Sequence, residues 1–245
     1  MYRTRRYPLF RLLPGLLLLM ATACDTTVKT DEAVIAEAVQ KKEEPEPTHI
    51  LMVDTAQSEV TWIGARMTGR HNGVFPIRNG ELYMSGELLT GGNFVLDVAR
   101  TASADKTIDR ESNQKLTTHL RSADFFDVEK YPTAQFELVG IARLDSTGDK
   151  ERTAEAREEP ALGDELRIKD PTHRITGNLT IKGKTKSVSF PARVTIDSLL
   201  RAKANFNIDR THWGLVYRSD RSLGDKTIYP AVNIGIDLVA RPEEK

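Results

Sequence analysis

One cysteine, Cys24, stands in 245 residues, so the chain can form no internal disulfide. Its five histidines, His49, His71, His119, His173 and His212, are too far apart for an H-x-x-x-H pair. With no second cysteine to assist them, no metal-ligand spacing is present. The chain also lacks a G-x-S-x-G elbow, a Gly-rich phosphate loop and a dinucleotide fingerprint. Carboxylates are abundant, but spacing singles out no pair for acid–base work. The expectation is therefore a non-enzymatic protein with no metal and no catalytic residues. Nor is there an excess of positive charge, with 35 basic and 35 acidic residues. That balance argues against a nucleic-acid partner, which would call for a basic face.

No apolar run is long enough to span a bilayer, which needs about 20 residues. The longest, Leu12–Met20, is interrupted by Pro14 and Gly15 and follows Arg3, Arg5, Arg6 and Arg11. A basic start, a short apolar stretch and small residues (Ala21, Thr22, Ala23) read as a signal peptide over residues 1–23. Two cleavage readings stay open. Ala21-Thr22-Ala23 is an A-x-A site that would release a soluble periplasmic protein. The same residues followed by Cys24 resemble a bacterial lipobox, although Ala21 stands where Leu is more usual. The lipobox is the expectation, because acylation at Cys24 disposes of a lone thiol in an oxidising compartment. The protein is thus expected in the bacterial cell envelope, attached to a membrane through an acyl anchor at Cys24. Cleavage removes four arginines and no acids, leaving 31 basic and 35 acidic residues.

Residues 24–48 read as the anchor cysteine and a flexible charged tether, rich in Lys, Glu and Asp and ending in Glu44-Pro45-Glu46-Pro47. Partial helical spacing of Ala33, Ile35, Ala36 and Val39 suggests a transient helix over Asp31–Lys42. From residue 49 to 245 the chain turns to short alternating segments. Strands are predicted at Glu59–Gly64, Glu81–Met84, Asn93–Val98, Gln135–Val139, Arg174–Ile181, Ser187–Ile196, Lys203–Ile208 and Val232–Ala240. Asn79-Gly80, Gly91-Gly92 and Lys182-Gly183-Lys184 are read as turns between them. The fold class is all-β with one or two short helices, an antiparallel barrel or sandwich of about eight strands. Asp109–Leu120 reads as a short helix or irregular excursion, and residues 146–170 as a charged loop insertion.

The stretch His119 to Pro132 is dense in aromatics and turn-forming side chains. Ser122 or Asp124 can cap a turn, with Phe125, Phe126 and Tyr131 anchoring it, so a structured corner closing one barrel end is expected. His119 with Asp109 and Asp124 is the one cluster that spatial proximity could turn into a site.

Here the chain resembles the YceI-like family of periplasmic polyisoprenoid-binding proteins. Val53-Asp54 with Ser58-Glu59-Val60-Thr61-Trp62 is similar to the family's opening strand. His119-Leu120-Arg121-Ser122-Ala123-Asp124-Phe125-Phe126 through Tyr131-Pro132 matches its H-L-R-S-x-D-F-F-D-V-E-K-Y-P stretch. Gly177 to Lys186, with Gly183, resembles its G-x-L-T-I-x-G-x-T-K hairpin. Phe206 to Gly214, with Arg210, resembles its F-x-I-x-R-x-x-[FWY]-G element. The chain departs from the pattern at His71–Pro76, at Ala99–Gln114 and in the charged insertion.

The resemblance implies an eight-stranded antiparallel, lipocalin-like barrel holding a long isoprenoid or similar amphiphile. Strand alternation nominates Val60, Trp62, Phe94, Leu96, Phe136, Leu138, Leu179, Phe190, Phe206, Ile208, Ile234 and Ile236 for an apolar interior. The function expected is binding, transport or sequestration of an isoprenoid or quinone-like lipid, with no other cofactor. The alternatives are an envelope enzyme using His119 or His212 on a bound lipid, and a stress-linked interaction domain with a vestigial, side-chain-filled cavity.

Overall fold

A computed structural model describes residues 26–41, 46–144 and 166–242. Cys24, the leader and most of the 146–170 insertion lie outside these residues. Among the described residues there are thirteen strands and one α-helix of more than two turns. They are β1 (Asp31–Glu32), β2 (Val34–Glu37), β3 (His49–Val53), β4 (Glu59–Arg66), β5 (Gly69–Phe75), β6 (Ile77–Ser85), β7 (Leu88–Asp97), β8 (Ala102–Ser103), β9 (Thr133–Arg143), β10 (His173–Ile181), β11 (Lys184–Ile196), β12 (Leu200–Asp209) and β13 (Ile228–Pro242).

Antiparallel pairing closes a ring of eight, β13–β12–β11–β10–β9–β7–β6–β3 and back to β13. Closure pairs every ring strand with a neighbour on each side. Above its short pairing with β3, β13 is flanked by β4, which carries β5 and β8 outward. The predicted β10–β11 hairpin forms as a two-residue turn, with Lys182 and Gly183 both at positive φ (52° and 73°). That is the geometry whose twist suits a hairpin.

Two predicted turns are not turns. Gly80 lies inside β6 and Gly92 inside β7. A Cβ on Gly92 would stand 2.6 Å from the Glu81 carbonyl oxygen, and one on Gly80 would stand 2.8 Å from Phe94 and Val53. These glycines let neighbouring strands and ring side chains approach closely.

One end of the barrel carries the β4–β5 and β10–β11 hairpins, the residues between β8 and β9, and the loop between β12 and β13. In the last of these regions but one, the expected excursion forms a regular helix, α1 (Arg110–Arg121), capped by Asp109, whose carboxylate accepts the Ser112 amide at 2.8 Å. Leu116 and Leu120, four residues apart, share the face that packs on the core.

The largest departure from the sequence reading is in residues 26–41. They form neither a free tether nor a helix. β11 and β12 pair only from Ala192↔Ala204 to Ile196↔Leu200; beyond that they diverge. Residues 31–37 run through the divergence, parallel to β12 at Phe206 and Asn207, then antiparallel to β11 from Ser189 to Lys186. Val28 is 4% exposed, and Ala33 and Ile35 pack on the core cluster. Asn207 Nδ2 donates to the Val28 carbonyl (2.8 Å) and to Glu32 (2.9 Å), while Asn178 and Val39 exchange two bonds. The charged composition conceals a strand because its apolar residues only need to cover one narrow seam.

Candidate functional site

Along the eight ring strands every second side chain points inward, as pleating requires. The inward rows meet around an apolar cavity with about 160 Å³ open to water-sized molecules. That is roughly ten times what a single water needs. The cavity extends from Val98 and Ile181 near the α1 end to Leu89, Val194 and Leu238 towards the other. Of the twelve nominated residues, eleven line it: Val60, Phe94, Leu96, Phe136, Leu138, Leu179, Phe190, Phe206, Ile208, Ile234 and Ile236. Lys203 is the one charged lining residue; its side chain is largely exposed and its ammonium pairs with Asp237 at 2.5 Å. An interior without polar groups avoids the roughly 1–3 kcal/mol that each unpaired one would cost.

Trp62 is the exception among the twelve. It is buried in the core but does not line the cavity. Its six-membered ring edge lies over Gly73, where a Cβ would stand 2.5 Å from it, and its Nε1–H is buried without a hydrogen-bond partner. The ring meets Phe75, which in turn meets Phe126 edge-on at 5.6 Å between centroids. Phe75 and Phe126 do line the cavity, so this aromatic stack is the wall and Trp62 stands behind it.

Alternation could not have nominated several further lining residues. Phe126 comes from the corner after α1, and Phe75 and Ile77 flank Pro76 where the sequence departs from the strand pattern. Bulges at Ile77/Asn79, Tyr83/Met84 and Thr176/Gly177 reset the inward face within a strand. At the last of these, Gly177 leaves room for Phe136, which a Cβ would meet at 2.1 Å. Ala192, Ala202 and Ala204 line the wall as small side chains that keep the interior open.

The motif residues build the α1 end. Arg121 donates to the Thr101 carbonyl through Nε (3.0 Å) and a terminal nitrogen (2.7 Å). Ser122 Oγ–H donates to the His119 carbonyl, while the Phe126 amide donates to the Leu120 carbonyl. Phe125 is buried beneath the His119 and Tyr217 rings. Tyr131 is more exposed than expected and lies against Gly183; the Pro132 carbonyl accepts the Ala99 amide. Arg210 is buried and donates to the carbonyls of Leu215, Tyr217 and Ile228, with the Phe125 ring 5.7 Å away. Gly214 takes a left-handed conformation (φ 80°) that ends the turn after β12.

Only two members of the expected polar cluster meet. His119 Nε2 and Asp124 stand 3.0 Å apart in a half-exposed position, while Asp109 caps the opposite end of α1. A second His–Asp pair, His71 and Asp105 at 2.6 Å, is more deeply set. Burial pushes the Asp105 carboxyl up, but the Thr107 hydroxyl, His71 and the Thr107 amide outweigh it and hold the group below the usual carboxylate range. No cluster of three or more His, Cys, Asp or Glu that could hold a metal occurs among the described residues.

Known proteins share this architecture. BcnA of Burkholderia cenocepacia superposes with a TM-score of 0.54 at 21% identity, covering 76% of this chain and 98% of that one. A polyisoprenoid binding domain from Saccharophagus degradans gives 0.53 at 13% identity, covering 79% and 98%. Two curated relatives, UPF0312 proteins of Azotobacter vinelandii and Pseudomonas putida, are 34% and 32% identical over 108 and 107 residues. These matches take in 42% and 41% of this chain and 44% and 43% of the relatives. The YceI-like domain model matches residues 51–240, nearly all of the eight-stranded ring. With that match, and with its motif residues closing one end of an eight-stranded apolar barrel, the chain belongs to the YceI-like family.

Proposed function

We infer that this protein binds a long-chain isoprenoid or similar amphiphile without chemical conversion, as a carrier or store in the bacterial cell envelope. The cavity carries this reading, since it runs along the barrel interior and the surface it presents is apolar. Such a space stays dry and favours an apolar chain over water. The solved domain from Saccharophagus degradans is named for polyisoprenoid binding and supports the same ligand class. Leader, lipobox and family membership favour export, with acylation at Cys24 and residence at a membrane facing the periplasm; release as a soluble periplasmic protein is the alternative.

Two observations weigh against the other readings. An interior filled by side chains would have favoured a vestigial cavity, and the interior is open. An enzyme acting on the bound lipid needs a polar group at the cargo, and neither His119 nor His212 lines the cavity.

The test is organic-solvent extraction of the purified full chain followed by mass spectrometry, alongside an Ala204→Phe variant that fills the cavity. Polyprenol- or quinone-like chains should be recovered from the wild type and depleted in the variant. An empty extract, with no uptake of added polyprenol or quinone, would refute the reading.

A further inference from the structure

The α1 end of the barrel bears a surface that its interior packing does not account for. Arg66 of β4 pairs across to Ile228 of β13, and the Ile228 amide donates to the Arg218 carbonyl at 2.8 Å. This rung brings the β4–β5 hairpin tip beside the loop that precedes β13. The loop is folded back on itself, with the Thr227 hydroxyl donating to the Asp220 carbonyl (2.9 Å) and the Leu223 amide to the same oxygen. Around it three aliphatic side chains are exposed, Met67 (42%), Val216 (58%) and Leu223 (42%). Arg66, Arg218, Arg221 and Lys226 are exposed among them, against two carboxylates, Asp220 and Asp225. Aliphatic side chains interleaved with cations are the chemistry of a lipid interface, where the chains enter the boundary and the charges meet anionic headgroups.

The opposite end also exposes aliphatics, in a mixed electrostatic setting where Arg201 lies near Asp197. Leu88 follows Glu87 and Ile196 precedes Asp197. The chain from Cys24 onward is net acidic by four charges, so a net positive patch at one end is a local feature.

A second observation points to the same end. The Thr26 hydroxyl donates to the Arg66 carbonyl at 2.6 Å, and Arg70 donates to the Thr26 and Thr27 carbonyls. The first described residue is therefore tied to the rung that builds the patch. Cys24 precedes it by two residues, which span at most about 7 Å.

We propose that this protein docks on an anionic bilayer through the Met67–Val216–Leu223 face, with the barrel axis directed into the membrane surface and the start of the seam segment at the contact. The barrel then sits directly on the lipid rather than at the end of a tether. Docking depends neither on acylation nor on the cargo, so each can be tested separately.

The experiment uses the full chain carrying Cys24→Ser, which has no acyl anchor, sedimented with vesicles. Binding is expected to phosphatidylcholine vesicles containing 30% phosphatidylglycerol, to be lost in 0.5 M salt, and to be absent with phosphatidylcholine alone. At about fivefold per cation, R66Q/R221Q/K226Q should bind roughly 100-fold more weakly. M67S/L223S should also bind more weakly, and L88S/I196S should match the parent. Near-UV circular dichroism on every variant confirms that each retains the folded barrel. No binding to anionic vesicles, or equal losses at the two ends, overturns the proposal. Mass spectrometry of cargo in the same samples keeps the two readings apart: occupied cavities without vesicle binding overturn docking alone, while vesicle binding by an empty barrel overturns the cargo assignment alone.

Discussion

Asn207→Ala should release the seam segment without unfolding the barrel. Asn207 is buried on the outer face of β12, beneath residues 28–33. Its amide donates to Val28 O at 2.8 Å and to Glu32 at 2.9 Å, and its side-chain oxygen accepts from Asn233 at 3.1 Å. Only the first two bonds join the seam; the neutral one contributes about 1 kcal/mol net and the one to the Glu32 carboxylate roughly 1.5–3, so their loss costs the seam about 3 kcal/mol. At about 1.4 kcal/mol per tenfold, local opening of the seam should become roughly 100-fold more frequent. The Ala33 amide is a clean reporter, because it donates to the Asn207 backbone carbonyl (2.9 Å), which the substitution leaves in place. Hydrogen exchange at Ala33 should accelerate roughly 100-fold, while β12–β13 ladder amides such as that of Ala204 accelerate far less, the ring being a separate opening unit. Equal acceleration at both places would mean that seam and barrel open together, and no acceleration at Ala33 would mean that the asparagine does not hold the seam.

Arg210→Met should destabilise the fold by roughly 3–4 kcal/mol, because it strands carbonyls of Leu215, Tyr217 and Ile228 that the guanidinium now satisfies. Urea unfolding measures the loss, and limited proteolysis should show new cleavage within residues 215–228; an unchanged midpoint would count against this role. His173 sets a pH dependence, since burial first, and then Arg143, hold its imidazole below the ordinary value near 6.5. The unfolded chain therefore takes up this proton at a higher pH than the fold does. Stability from this group is intact above about pH 6.5 and declines as pH falls towards the lowered folded value. His173→Gln should flatten that part of the urea-midpoint curve between pH 7.5 and 5.5, and an undiminished slope would exclude His173 as its source.

Strand alternation was enough to place most of the cavity wall, because β9, β11, β12 and β13 keep an unbroken period of two where the nominated residues lie. It failed where the chain leaves that period. Phe126 reaches the cavity from the corner after α1, Phe75 and Ile77 from either side of a proline, and the extra residue Val139 shifts the face of β9 beyond Leu138. Trp62 obeys the alternation but stands behind the Phe75–Phe126 wall, a matter of depth that a one-dimensional pattern does not carry. Residues 26–41 were misread for a different reason. Their partners in β11 and β12 lie about 150–175 positions away, and a strand that covers a seam needs few apolar side chains of its own. Ala33, Ile35, Ala36 and Val39 together offer a partial helical spacing, whereas the pair that packs on the core, Ala33 and Ile35, has the spacing of a strand.

The seam also has a consequence in time. Residues 31–37 are made first, yet their partners at 186–189 and 206–207 are among the last. Pairing them closes loops of some 150 residues or more, whereas the β10–β11 hairpin closes across two. Local hairpins accordingly form ahead of the seam, and the gap between β11 and β12 is the last part of the wall to be completed. Phe190 and Phe206, stacked at 4.0 Å where the two strands part, face the interior beside that gap. The barrel is thus laced up from its own beginning, around an interior that lies open along one side until the final strand is drawn in.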